Sequence, residues 1–230
     1  MYKSLIIFCI VASNFAVFAQ SKINFELKKE LNSILIEDQK WRDLLISDLM
    51  STKRDSLAEA FKVDKKDIVP YIVKKIPLSD SLNLARVEKI IKQYGYPGKS
   101  LVGEGTNIAA YYVIQHSESI DKYLSLIKKA ADKKAIKFPY YAMMLDRSLM
   151  YKGEEQIYGT QAKGFQKLNS ETGKKEFVTI IWPIKDVMNV NKKRLKAGFE
   201  NTVEEYAKND LGINYTVISL IDAKKMIGTK

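Results

Sequence analysis

The residues of this chain able to do chemistry are few and gather in two places. Residues 94–116 (YGYPGKSLVGEGTNIAAYYVIQH) concentrate glycine, proline, hydroxyl and carboxyl groups and end on the only histidine, His116. An imidazole with an unperturbed pKa of about 6.5 can take up and return a proton near neutrality, which suits general acid–base work. Asp146 and Glu104 are the carboxylates available to orient it, so His116, Asp146 and Glu104 make the candidate catalytic set. A second cluster, Tyr158-Gly159-Thr160-Gln161, lies farther along the chain. Ser100, Gln115, Tyr158, Thr160, Gln161 and Arg42 offer the hydroxyl, amide and guanidinium groups that could hold a polar ligand.

Sharper motifs fail on spacing. Gly98-Lys99-Ser100 has the ending of a phosphate-binding loop, but the glycine that should open the motif is replaced by Gln93, and a helix instead of a strand precedes it. Ser100, His116 and Asp146 are the ingredients of a nucleophilic triad. The nucleophile-elbow pattern would need glycine where Val102 stands. His116 shares a helical stripe with Ala109, Tyr112 and Val113, so it should point inward. It is then either a core histidine tying helices together or a proton carrier at the floor of a pocket. Gly103-Glu104-Gly105-Thr106 precedes a helix start, where Glu104 can satisfy the free amides itself. Asp38, Gln39 and Arg42 share one helical face, as a surface ion pair or, if that face turns inward, as a wall of the site.

Composition closes other routes. Cys9 is the only cysteine, and it lies in an N-terminal stretch that reads as a signal peptide over residues 1–19: a basic start at Lys3, an apolar run from Ser4 to Phe18 and small or aliphatic residues before Gln20. The run is shorter than the roughly 20 apolar residues of a spanning helix. The expected product is exported, periplasmic or extracellular, with no transmembrane segment after signal removal. Its mature chain has no disulfide, thiol nucleophile or thiolate metal site, and neither a metal nor another cofactor is expected from one histidine and no D-x-D-x-D-G loop. Removal of Lys3 lowers the formal charge of +11 by one. The lysines are scattered as doublets, which describes a solvated surface, and nucleic acid is not an expected partner.

The elements that must position these groups read as mostly helical. Ile23 to Leu49 forms a long amphipathic first helix. Ser51 to Asp80, lysine-rich and interrupted by Pro70 and Pro77, is an irregular or partly helical connection. Ser79 or Asp80 can then cap a helix that ends at Gly95, and Thr106 or Asn107 one over Ile108–Ile114. Further helices start at Ser117 or Ser119 and at Pro139. Period-two alternation predicts a β-hairpin over 158–182, followed by helices over 184–197 and 202–209 and a last short strand over 215–221. The expectation is a mainly α chain with a small β-hairpin (α+β), its helical hairpins packed in a single domain over residues 20–230.

Glu37-Asp38-Gln39 with Arg42, Tyr94-Gly95-Tyr96-Pro97, Ser100-Leu101-Val102-Gly103, Gln115-His116, Leu145-Asp146, Tyr158-Gly159-Thr160-Gln161 and Pro183-Ile184-Lys185-Asp186 follow one another in an order that resembles the domain-of-unknown-function 6624 family. The resemblance runs over roughly residues 30–207 and implies no activity. Members often carry tryptophan where Tyr96 and Tyr111 stand, and a shorter connection than residues 51–80. Two functions follow from the residues. One is an exported binding module whose polar pocket takes a small polar ligand, a peptide or another envelope component. The other is a cell-envelope hydrolase with His116 as general base. No oligomeric state follows from these patterns.

Overall fold

The computed structural model describes residues 23–46, 53–169 and 172–228. The signal-peptide expectation for residues 1–19 lies outside the described residues. Helix α1 (Phe25–Ile46) places Leu27, Leu31 and Ile34 at helical spacing on its buried side. Helix α2 (Arg54–Phe61) and a 3-10 turn (Lys65–Asp67) lead into α3 (Ile68–Tyr94). Short α4 (Lys99–Val102) and a 3-10 turn (Thr106–Ile108) precede α5 (Ala109–His116), α6 (Ile120–Asp132) and α7 (Phe138–Tyr151). Strands β1 (Ala162–Leu168) and β2 (Lys175–Ile181) pair antiparallel, Ala162 opposite Ile181 and Leu168 opposite Lys175. Helices α8 (Val190–Ala197), α9 (Val203–Asn209) and α10 (Leu220–Ile227) complete the described chain. It is a mainly α fold with one small hairpin.

The main core joins α1, α3, α5, α6 and α7 through Leu31, Ile34, Val87, Val113, Ile114 and Ile127. Helices α1 and α3 run antiparallel, because partners advance along one as they retreat along the other: Arg42 meets Asp80, and Glu37 and Glu30 both meet Arg86. Two smaller clusters seat the hairpin, one on α8 and α9 through Ile181, Ile184, Val190 and Val203, the other on α10 through Trp182 and Ala223.

Three local expectations are corrected. Residues 68–94 form one helix instead of an irregular connection and a newly capped helix, and Pro77 lies inside it. Pro70 falls in the first turn, where its missing N–H is harmless, whereas Pro77 removes one ladder bond. Packing outweighs that loss: Ile68 and Ile72 are sealed, and Tyr71 stacks on Phe61 and meets Trp41 edge-on. The expected strand over 215–221 is also absent. Ser219 instead caps α10, its hydroxyl accepting from the Asp222 amide, and Ala223 packs on Trp182. Thirdly, Glu104 is exposed and does not cap the following helix. That start is anchored by side chains going elsewhere: Thr106 Oγ1 donates to Asn32 Oδ1 (2.8 Å) and Asn107 Nδ2 to the Ala135 carbonyl (2.9 Å).

Candidate functional site

The residues singled out by their chemistry fall into three places. The first is a polar cluster where α1, α3 and α5 meet. His116 closes α5, and its Nδ1 stands 3.0 Å from Oδ2 and 3.3 Å from Oδ1 of Asp38. Asp38 continues the apolar stripe of Leu31 and Ile34 and is wholly buried, while the His116 side chain keeps 16% of its exposure. Gln39 Nε2 donates to Asp38 Oδ2 (2.6 Å). Arg42 donates through Nη1 to the Asp38 carbonyl (2.8 Å) and through Nη2 to Asp80 Oδ2 (2.8 Å), so its face of α1 turns inward. Asp80 Oδ1 and the Oδ1 of Asn83, one turn farther along α3, are buried without a hydrogen-bond partner. One ligand atom each from Asp38, Asp80 and His116 lies within 4.8 Å of the others.

This arrangement allows two kinds of chemistry. A proton on Nδ1 donates to the buried carboxylate, which fixes the tautomer and leaves Nε2 as acceptor or base. Among the described residues no protein partner for Nε2 is found. Alternatively the oxygens and the imidazole converge on a cation.

The second place is built around Asp146, in α7. Its carboxylate accepts from the amides of Ile157 (2.8 Å), Tyr158 (3.1 Å) and Thr160 (3.1 Å) and from the Thr160 hydroxyl (2.9 Å). Burial pushes its pKa above the ordinary carboxylate range, against the pull of those four donors. Gln156 works beside it, donating to the carbonyls of Gln161 and Trp182 and accepting from the Gln161 amide. Gln161 Nε2 turns back to the Thr160 carbonyl and hydroxyl. Arg194, at 2% exposure, donates to the carbonyls of Tyr158 and Asn201 and lies over the Phe199 ring at 4.6 Å. Burial depresses its pKa. Gly159 has φ +66°, and a Cβ there would stand 2.8 Å from both Ile184 Cδ1 and Val203 Cγ2. Asp146, Tyr158, Thr160 and Gln161 are thus brought together, but in a knot whose donors and acceptors are matched to one another.

The third place is a pair of adjoining clefts that share Lys137, Pro139 and Gly198 as a wall. One, of about 500 Å³, holds Glu104 with Lys99, Asn107 and Lys196. The other, of about 600 Å³, has Tyr112, Tyr140, Phe199 and Tyr206 as aromatic walls, Thr160 and Arg194 in its lining, and Lys137, Glu200 and Asp210 around it. The Tyr112 ring lies 6.5 Å from that of His116, one turn back on α5.

The structure therefore pairs His116 with Asp38 and not with Asp146, Glu104, Tyr158 or Gln161, because Asp146 is spent on the loop amides. Ser100 is exposed in the first turn of α4. Gln115 is buried, its carbonyl 3.5 Å from Arg147 Nη1. Gly98 owes its identity to packing, since a Cβ there would stand 2.5 Å from that of Ala135. The sequence offered Asp38 as a wall of the site only if its face of α1 turned inward, as it does, and offered Asp80, Asn83 and Arg194 no place in one. Asp38, four residues after Ile34, and Arg194, four after Val190, each extend a buried apolar stripe, and a charge on such a stripe was the legible signal. Asp80 gave none while it read as the end of a connection or a helix cap, and Asn83 gave none as a polar residue in the first turn of the helix after it.

Residues 67–215 match the model of a family of unknown function (DUF6624). The matched span starts and ends later than the motif resemblance, and leaves Asp38 and Arg42 outside it. No curated protein and no solved structure matches the chain. Among the described residues, no helix is long and apolar enough to cross a membrane.

Proposed function

The chain belongs to the family of unknown function DUF6624, and we propose that it is an exported binding protein for short peptides of the cell envelope, held in the aromatic cleft. The observation that carries this reading is the cleft itself. Its volume of about 600 Å³ and its walls of Tyr112, Tyr140, Phe199 and Tyr206 fit the usual ligand site of roughly 300–1,000 Å³, mostly apolar with a few polar groups. Lys137 stands at the same cleft as Glu200 and Asp210, and all three are exposed. A zwitterion meets such a rim with both its ends. The rigid knot of Asp146, Gln156 and Arg194 supports the wall, so little conformational freedom is lost on binding. Export is supported by the basic start and apolar run of residues 1–19.

Calorimetric titration with cell-wall stem peptides tests this reading. Saturable binding should weaken at least tenfold in Glu200→Gln and Lys137→Gln, whose exposed side chains leave the fold intact. Indifference to both substitutions, or no binding of any stem peptide, refutes it. One observation favours a second reading, an envelope hydrolase with His116 as general base: the buried Asp38 carboxylate is placed to orient the imidazole. Turnover of an envelope amide or ester, abolished by His116→Ala and reduced by Asp38→Asn, would establish it.

A further inference from the structure

The cluster of Asp38, Asp80, His116 and Asn83 is deficient in one specific respect: it has more acceptors than donors. Two carboxylates face one guanidinium, so the formal charge before the imidazole is counted is −1. Each carboxylate has one oxygen held by a protein donor, Asp38 Oδ2 by Gln39 and Asp80 Oδ2 by Arg42. Asp80 Oδ1 is left buried and unpartnered. Asn83 is 1% exposed, its Nδ2 reaches Ser79 Oγ at 3.3 Å, and its Oδ1 is likewise unpartnered. Residues 80 and 83 are three apart on α3, so their side chains leave neighbouring positions on one side of that helix. Buried acceptors in native proteins are almost always satisfied, and two on adjacent turns ask for a common donor or cation.

We propose that this cluster is a binding site for a first-row divalent cation of the zinc or manganese type, held by Asp38, Asp80 and His116 with Asn83 Oδ1 completing the set. The donor chemistry selects the ion. Two carboxylate oxygens and an imidazole nitrogen suit zinc, cobalt or manganese, whereas calcium takes oxygen alone. The geometry is close to what is needed. Bonds of about 2.1 Å in a tetrahedron set ligand atoms about 3.4 Å apart; here the three lie within 4.8 Å of one another, and the Nδ1 to Asp38 contacts are 3.0 and 3.3 Å. A modest closing of side chains suffices. Arg42 is the opposing charge, with Nη1 3.8 Å from Asp38 Oδ1. Its tie to the Asp38 carbonyl holds it in place, so it keeps Asp80 Oδ2 and leaves Oδ1 to the ion, at a reduced affinity. A cation on Nδ1 takes the place of the proton donated to Asp38, so ion binding and the carboxylate-oriented base are alternative states of the same atoms. The site makes no use of the aromatic cleft, and its test needs no peptide.

The experiment is titration of chelator-stripped protein with Co²⁺ and Zn²⁺ alone, read by visible absorption for cobalt and by calorimetry for zinc. The expected result is saturable binding of one ion per chain, with cobalt bands of nitrogen and oxygen ligation, weakened at least tenfold in Asp80→Asn and in His116→Ala but unchanged in the exposed control Glu154→Gln. Ca²⁺ should not compete. Asp80→Asn is isosteric at a partly exposed position, so it carries the test if His116→Ala unfolds. Absence of saturable binding, or binding untouched by Asp80→Asn, overturns the proposal and assigns the orphan oxygens to solvent. A peptide-binding failure with intact metal binding would refute the cleft reading alone.

Discussion

Replacing Asp146 by alanine should unfold the α7–hairpin junction before it affects any chemistry. The carboxylate serves three backbone amides and one hydroxyl at 2.8–3.1 Å and is wholly buried. An orphaned buried donor costs about 1–3 kcal/mol. Ile157 and Tyr158 are partly exposed, so solvent recovers part of their loss, and the Thr160 hydroxyl can rotate; only the Thr160 amide is sealed. Three amides at about 1–2 kcal/mol each give roughly 3–6 kcal/mol. Against this stands relief from burying a carboxylate, whose raised pKa reports the strain. The net expectation for Asp146→Ala is about 3–4 kcal/mol, a large share of the roughly 5–15 kcal/mol of a typical domain. Asp146→Asn keeps one accepting oxygen and turns an NH₂ toward the amides, so it should cost about half as much. Urea denaturation followed by far-UV circular dichroism measures both, with an unchanged denaturant slope marking a pure stability effect. The reasoning fails if Asp146→Ala costs less than about 1 kcal/mol, or if it retains full stability while losing a ligand response. The second outcome would move Asp146 from scaffold to site.

Gly98→Ala forces a Cβ against Ala135, a backbone-anchored neighbour that cannot swing away, and a destabilisation of about 1–3 kcal/mol is expected from thermal melts. Arg194→Lys keeps the charge but loses the bonds to both Asn201 and Tyr158 and the stacking on Phe199; a cost of about 2–4 kcal/mol in urea melts is expected, and a neutral result would show that charge alone matters there. Thr202→Ala removes a capping box in which the Thr202 hydroxyl accepts from the Glu205 amide and Glu205 accepts from the Thr202 amide. About 1 kcal/mol should be lost, with amide exchange rising first in α9.

Local pattern alone determined much of this protein. Helical spacing of apolar residues located α1, α5, α6 and α7, and alternation located the hairpin, because these elements are dictated by which face must leave water. Gly95 marked the end of a helix, and it has positive φ. The inward aim of His116 was equally readable from its stripe. Other features depended on partners distant in sequence. The 27 residues of α3 run on past Pro77 because Ile68 and Ile72 are sealed from water and Tyr71 meets Phe61 and Trp41 on other helices, a gain that no local propensity records. Asp38 meets His116 across 78 positions of chain, and Asp80 joins them from a segment that looked like a connection. Asp146 had the same residue type as Asp38 and a similar claim on His116. Only the packing of α7 against the turn at Ile157–Thr160 decided that one aspartate would satisfy backbone amides and the other would hold the imidazole. Side-chain identity sets what a group can do, and tertiary proximity sets which of its possible partners remains unspent.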